Sequence, residues 1–223
     1  FYVLEQYNDV AVLKLGKNFL SNLIDLAMEN SLLHVFDHIE ENDEIKALVI
    51  MNCPEKMGRE EYIDYCRQVI ANEFDCRSIQ RMCHVFDQLI LKIVRLDKPV
   101  IYADCGEIIS LFLSMGLACD YRIIATHTIF QKPYFELETL PKGGGAFFLC
   151  KMLGYNQAKN LLMSEKDINA LAALDMGIVD HVVPNHKLEE TAIQIAQDLA
   201  NRPSRSLVGI KKLINYSMKG VYA

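Results

Sequence analysis

The chain has 223 residues, 51% of them hydrophobic, enough to bury one full core. Its formal charge of −6 argues against a broad nucleic-acid footprint, while leaving room for a phosphate at a few lysines or a helix N-terminus. No apolar run approaches the roughly 18 residues of a membrane span. The first residue is Phe1, so a preceding targeting segment is left open.

Residues 1–6 and 10–15 are β-rich runs around Tyr7-Asn8-Asp9 and predict a hairpin. Residues 20–41 carry Leu23, Leu26, Leu33, Phe36 and Ile39 at helical spacing. Residues 45–51 are a near-continuous apolar strand of the kind buried on both faces. Residues 58–95, charged early and apolar late, predict two helices. Strands are expected at 99–104, 121–125, 128–130 and 178–183, with an apolar helix at 108–117. Pro141-Lys142-Gly143-Gly144-Gly145 is a strong loop signal before a helix at 146–153. Helices are expected at 156–163, 168–176, 186–201 and 203–218. Strands alternating with helices imply right-handed βαβ units in a mostly parallel sheet. Ligands of such sheets sit beyond the carboxyl ends of the strands. The division expected is a core over 1–184 and a helical region over 185–223.

The seven cysteines are Cys53, Cys66, Cys76, Cys83, Cys105, Cys119 and Cys150. Their odd number and the absence of CxxC predict reduced thiols in a cytoplasmic protein, with neither a disulfide framework nor a zinc site. His34 and His38 are one helical turn apart but lack an HExxH context, which reads as an exposed helix face.

From Lys98 to Gly154 the sequence carries a series of words in a particular order. They are Lys98-Pro99-Val100-Ile101, Gly106, Leu117-Ala118-Cys119-Asp120-Tyr121-Arg122-Ile123, Phe130-Gln131-Lys132-Pro133, Leu140-Pro141, Gly143-Gly144-Gly145 and Leu153-Gly154. Ala170, Leu174, Gly177-Ile178-Val179 and residues 204–212 continue the series, and residues 45–50 precede it. This order resembles the enoyl-CoA hydratase/isomerase (crotonase) family over nearly the whole chain. The resemblance implies an α/β spiral of ββα turns with C-terminal helices. It also implies binding of an acyl-CoA thioester, with coenzyme A as part of the substrate and no separate cofactor. Isomerase or lyase chemistry of fatty acid metabolism and a homotrimer or hexamer follow from the same resemblance. In that family two backbone amides hold the thioester carbonyl and stabilise the enolate, a task suited to preorganised donors in a dry pocket.

Carried over residue by residue, the second oxyanion amide falls on Leu111, because Gly106 to Phe112 stands where the family usually shows G-x-x-x-G-G-G. Ser110, Leu111 and Phe112 replace the three glycines, whose bulk bears on how closely a ligand approaches the backbone. The first amide falls on Met57 of Lys56-Met57-Gly58, or that stretch is an ordinary loop. The two hydratase glutamates correspond to Ser114 and Tyr134, neither of which offers a carboxylate for acid–base work. An acid used by some relatives corresponds to Lys142. Glu107, Glu136 and Glu138 are either replacement bases or solvated loop carboxylates. Asp104 ends an apolar strand and needs a partner if buried, unless it caps a turn.

Three functions are therefore open. The first is an acyl-CoA enzyme with rewired chemistry around Ser114, Tyr134 and Lys142. The second is a non-catalytic acyl-CoA binder or scaffold. The third is a serine hydrolase using Ser110, for which the partner histidine position holds Gln131 and the triad logic fails.

Overall fold

A computed structural model describes residues 1–23, 25–71 and 77–219. The chain opens with β1 (Tyr2–Tyr7) and β2 (Val10–Leu15), antiparallel across Asn8, whose φ of 56° is a left-handed value that asparagine tolerates. The helix expected over 20–41 is two helices, α1 (Phe19–Asn22) and α2 (Leu26–Glu41). The second starts afresh because Asp25 caps it, accepting from the amides of Ala27 and Met28 at 2.8 and 3.4 Å. Its buried stripe runs through Leu32, Phe36 and Ile39, with Leu33 only half-buried.

β3 (Ala47–Asn52) leads to α3 (Arg59–Ala71) and α4 (Arg77–Arg95). Then a pattern repeats. β4 (Val100–Asp104), β5 (Glu107–Ile109) and α5 (Ser110–Ala118) form one ββα turn. β6 (Tyr121–Ala125), β7 (Ile129–Gln131) and α6 (Gly145–Leu153) form the next. They are followed by α7 (Tyr155–Leu162), β8 (Ile168–Asn169), α8 (Ala170–Asp175) and β9 (His181–Val183). A 3-10 turn at Asn185–Lys187 precedes α9 (Leu188–Ala200) and α10 (Ser204–Lys219).

The long strands form one sheet in the order β1-β2-β3-β4-β6-β9, parallel except for the first pair. The short strands form a second sheet, β5-β7-β8. Ile108 and Ile109, expected in a helix, belong to this second sheet. Ile108 pairs with Phe130 across it and both are buried, a β-branched and aromatic pairing that favours extended backbone. The last strand is shorter than expected. After α8, Gly177 turns left-handed and the amides of Ile178 and Val179 bond back to the Ala173 carbonyl, closing the helix before β9 begins.

Alternation divides the core. Leu48, Ile50, Val100 and Tyr102 face α2, α4 and α5, whereas Ala47, Val49, Ile101 and Ala103 face α9. Ala192, Ala196 and Ala200, spaced one turn apart, give α9 a shallow ridge lying close on the strands. The expected C-terminal helical region thus supplies one wall of the core. Among the described residues, no helix is long and apolar enough to cross a membrane.

Gly116 of α5 marks the closest approach of helix to sheet. A Cβ there would lie 2.8 and 2.9 Å from carbons of the Tyr102 ring, whose hydroxyl is tied to Asp104. Alanine is the better helix former by roughly 1 kcal/mol, but the tethered ring cannot swing aside, and overpacking costs about 1–3 kcal/mol. Gly116→Ala is therefore expected to destabilise the fold by about 1–2 kcal/mol. The change would be seen as a lowered urea midpoint at unchanged slope.

Candidate functional site

The carboxyl ends of β3 and β4 lie side by side, and a buried network joins the loops that leave them. Asp104 is fully buried. Its Oδ1 accepts from Lys56 Nζ at 2.8 Å and the Cys105 amide at 2.7 Å. Its Oδ2 accepts from Asn52 Nδ2 at 2.6 Å and from the Tyr102 hydroxyl. Four donors occupy the lone-pair sites of one carboxylate. Lys56 also donates to the Cys105 carbonyl at 2.6 Å. Burial first, and Asp104 second, push the Tyr102 phenol far above its ordinary pKa, so it stays a donor. The partner that a buried Asp104 requires is Lys56, which resembles an ordinary loop lysine in the sequence.

Beyond this network lies a polar cleft of about 770 Å³, lined among others by Lys56, Gly58, Arg59, Glu61, Glu107, Gln131 and Glu136. The start of α3 faces it, and carboxylates already serve its amides. The Gly58 amide donates to Glu61 Oε2 at 3.3 Å and the Arg59 amide to Glu107 Oε2 at 3.4 Å. The Glu107 carboxylate lies so close to Gly58 that a Cβ there would collide with it. Arg59 pairs with Glu136 and approaches Asp167 at 3.8 Å. The cleft presents Glu60, Glu61, Glu107 and Glu136 against Arg59 and an already paired Lys56, an excess of negative charge.

Ser114 and Tyr134 do come together. Both line a separate cavity of about 20 Å³, room for one water, which needs roughly 10–15 Å³. The Ser114 hydroxyl lies 2.9 Å from the carbonyls of Ser110 and Lys142, and its one proton serves one of them at a time. The glycine turn rests on this serine: a Cβ on Gly145 would lie 2.6 Å from Ser114 Oγ. Tyr134 donates to the Leu162 carbonyl at 2.7 Å, and neighbouring Lys132 to the Leu161 carbonyl at 2.9 Å. These carbonyls belong to the last turn of α7, where helical partners run out, so both side chains cap that helix. Burial raises the Tyr134 phenol and lowers the Lys132 ammonium relative to their ordinary pKa values. Lys142 contributes its carbonyl to the group, while its side chain is exposed.

Leu111 sits in the first turn of α5 and is buried in the core. Met57 is half-buried, just before α3. Neither borders the polar cleft or the small cavity. Lys56 and Lys132 are the residues that sequence reasoning did not single out. The signal for the first was Asp104, a carboxylate ending a buried strand. For the second it was a lysine between Gln131 and Pro133 in an otherwise apolar neighbourhood. Ser110 lines the small cavity, with no histidine among the residues around it. The described cysteines, Cys53, Cys66, Cys83, Cys105, Cys119 and Cys150, are free thiols, and Cys76 lies outside the described residues.

Two stacked ββα turns, a parallel sheet and a site at the strands' carboxyl ends define a crotonase-like α/β protein. A sequence model of the enoyl-CoA hydratase/isomerase family matches residues 5–221, and the chain belongs to that family. It is 26% identical over 209 residues to the trans-2-decenoyl-[acyl-carrier-protein] isomerase of Streptococcus mutans, covering 93% of this chain and 78% of that protein. It is 24% identical over 217 residues to the short-chain-enoyl-CoA hydratase of Clostridium acetobutylicum, covering 97% and 82%. The crystal structure of enoyl-CoA hydratase from Bacillus anthracis shares the fold, with a TM-score of 0.82 at 22% identity, over 98% of this chain and 83% of that one.

Removing one member of the Lys56–Asp104 pair leaves a buried charge uncompensated. Lys56→Met alone is expected to cost about 3–5 kcal/mol. Lys56→Met combined with Asp104→Asn, which removes both charges, is expected to recover more than half of that loss. A double-mutant cycle by urea unfolding measures the coupling.

Proposed function

We propose that this chain binds an acyl-CoA thioester and does not hydrate it by a pair of carboxylates. One observation carries the reading. At both positions where the family resemblance expects a catalytic glutamate, Ser114 and Tyr134 use their hydroxyls to hold main-chain carbonyls, around a cavity of about 20 Å³. A tyrosine whose pKa is raised by burial is a poorer base at neutral pH than free phenol. Coenzyme A enters as part of the ligand, with no separate cofactor.

Chemistry on the bound thioester, in this reading, rests on enolate stabilisation by the amides of Met57 and Leu111. Support for Leu111 comes from its place in the first turn of α5, where amides have no intrahelical acceptor and the helix dipole favours negative charge. Ser114, Tyr134 and Lys142 are then the polar groups nearest the reacting carbon. The polar cleft beyond the Lys56–Asp104 network, about 770 Å³, is within the size range of small-molecule sites. Assembly into trimers or pairs of trimers belongs to the same proposal. It is supported by Ile210, Leu213 and Tyr216, which α10 leaves exposed.

The excess of carboxylates in the cleft favours a second reading, a scaffold that keeps the fold and has lost the ligand, because coenzyme A carries phosphates that such a surface repels. Titration calorimetry of the purified chain with coenzyme A, acetyl-CoA, acetoacetyl-CoA and crotonyl-CoA separates the two. The expected result is binding of acetoacetyl-CoA more tightly than free coenzyme A, with no hydration of crotonyl-CoA. Glu107→Gln is expected to tighten that binding several-fold by removing a charge from the cleft and from the α3 amides. Absence of binding to all four, by folded protein, would leave the scaffold reading. Turnover of crotonyl-CoA to the hydroxyacyl product would refute the central claim.

A further inference from the structure

The register of β3 on β4 pairs Ile50 with Tyr102 and Met51 with Ala103. Carried two residues further, past the ends of both strands, the same register would set Asn52 beside Asp104 and Cys53 beside Cys105. The Asn52–Asp104 hydrogen bond of 2.6 Å shows the first of these pairs in place. At the second, the Cys53 amide still bonds to the Leu15 carbonyl at 3.0 Å, as a continuing sheet residue does. Alternation then turns the two thiols away from the Asp104 network. Cys105 packs with Ala103 in the cluster under α9, and Cys53 follows Met51 on that face. Both cysteines line a cavity of about 440 Å³ on this side, bounded in part by Lys14, Leu188 and Glu189. Parallel neighbours lie about 4.8 Å apart, within the roughly 4.4–6.8 Å Cα separation that a disulfide spans. Cys53 is one of the groups that raise the Cys105 pKa, after burial and Asp104. Cys53 is half-buried and open to the cavity, whereas Cys105 is buried.

We propose that Cys53 and Cys105 form an oxidisable dithiol that a peroxide converts to an intramolecular disulfide. The Cys53 sulfur attacks one peroxide oxygen and the O–O bond breaks. With hydrogen peroxide, water leaves and Cys53 becomes a sulfenic acid. The Cys105 sulfur then displaces the sulfenic oxygen as a second water, and the S–S bond forms. Two thiol protons and two electrons pass to the peroxide, giving two waters. The S–S bond joins two residues that lie just past the ends of their strands. It would tie the exits of β3 and β4 together from behind, opposite the Lys56–Asp104 pair that ties them from the front.

The experiment treats the reduced 223-residue chain with hydrogen peroxide, blocks remaining thiols, and maps peptides by mass spectrometry without reduction. The expected result is loss of two free thiols per chain and one joined species. That species links the Cys53 and Cys105 peptides and is undone by dithiothreitol. Cys66 and Cys83 also lie within electrostatic reach of each other, so the variant Cys66→Ser/Cys83→Ser is expected to keep the link in full. Recovery of a Cys66–Cys83 link instead, links only between chains, or oxidation to sulfinic acid without any link would overturn the proposal. The readout is on the wild-type chain and independent of acyl-CoA binding.

Discussion

The buried carboxylate of Asp104 is the constraint on which the site depends. It closes the end of β4 and receives Lys56 from the loop after β3, Asn52 from the end of β3, and Tyr102 from its own strand. Taking a lysine and an aspartate out of water is costly, and the cost is offset only when every lone pair and proton finds a partner. Here all four acceptor positions of Asp104 are used, and Lys56 adds a second acceptor in the Cys105 carbonyl. Such a pair is a weak source of net stability but a strict source of geometry, since any shift of one loop leaves a charge exposed to apolar surroundings. The pair ties the loop after β3 to the end of β4.

Geometry of this kind also explains how the small cavity is closed. Ser114 holds the Lys142 carbonyl and so the glycine turn. Tyr134 and Lys132 hold the end of α7. A carboxylate at either position could only accept, and the carbonyls it faces are acceptors too. Hydroxyl and ammonium donors thus suit an arrangement in which the surrounding backbone is the partner. The side chains at these two positions satisfy the end of α7 and the glycine turn. The polar cleft shows the parallel case at α3, whose first amides meet the carboxylates of Glu61 and Glu107. A helix N-terminus that attracts anions here finds them within its own chain.

Much of the architecture was legible because it follows from periodicity. The largely apolar runs at 45–51 and 99–104 read as buried parallel strands, and the glycines after residue 142 read as a turn. Where expectation and structure part, a short-range polar group or a long-range pairing decided. Asp25 split one helix into two by capping. Ile108 and Ile109 joined a strand because Phe130, more than twenty residues away, offered them an edge. Periodicity within a segment carries no information about a distant edge, so Ile108 and Ile109 read as the start of the helix that follows.

The site divides in the same way. The sequence by itself determined the family, aligned Ser114, Tyr134, Lys142 and Leu111 with positions the resemblance expects to be functional, and left Met57 as an oxyanion amide or a loop residue and Asp104 as a buried carboxylate needing a partner or a turn cap. Those follow from residue order and from the cost of burying charge. Only the tertiary structure decided that Lys56 is that partner, that Ser114 and Tyr134 turn to backbone carbonyls, and that Lys142 contributes its carbonyl while its side chain stays exposed. Each of these depends on which groups from separate segments come within about 3 Å of one another, a distance fixed by strand register and helix packing rather than by any residue's own preference.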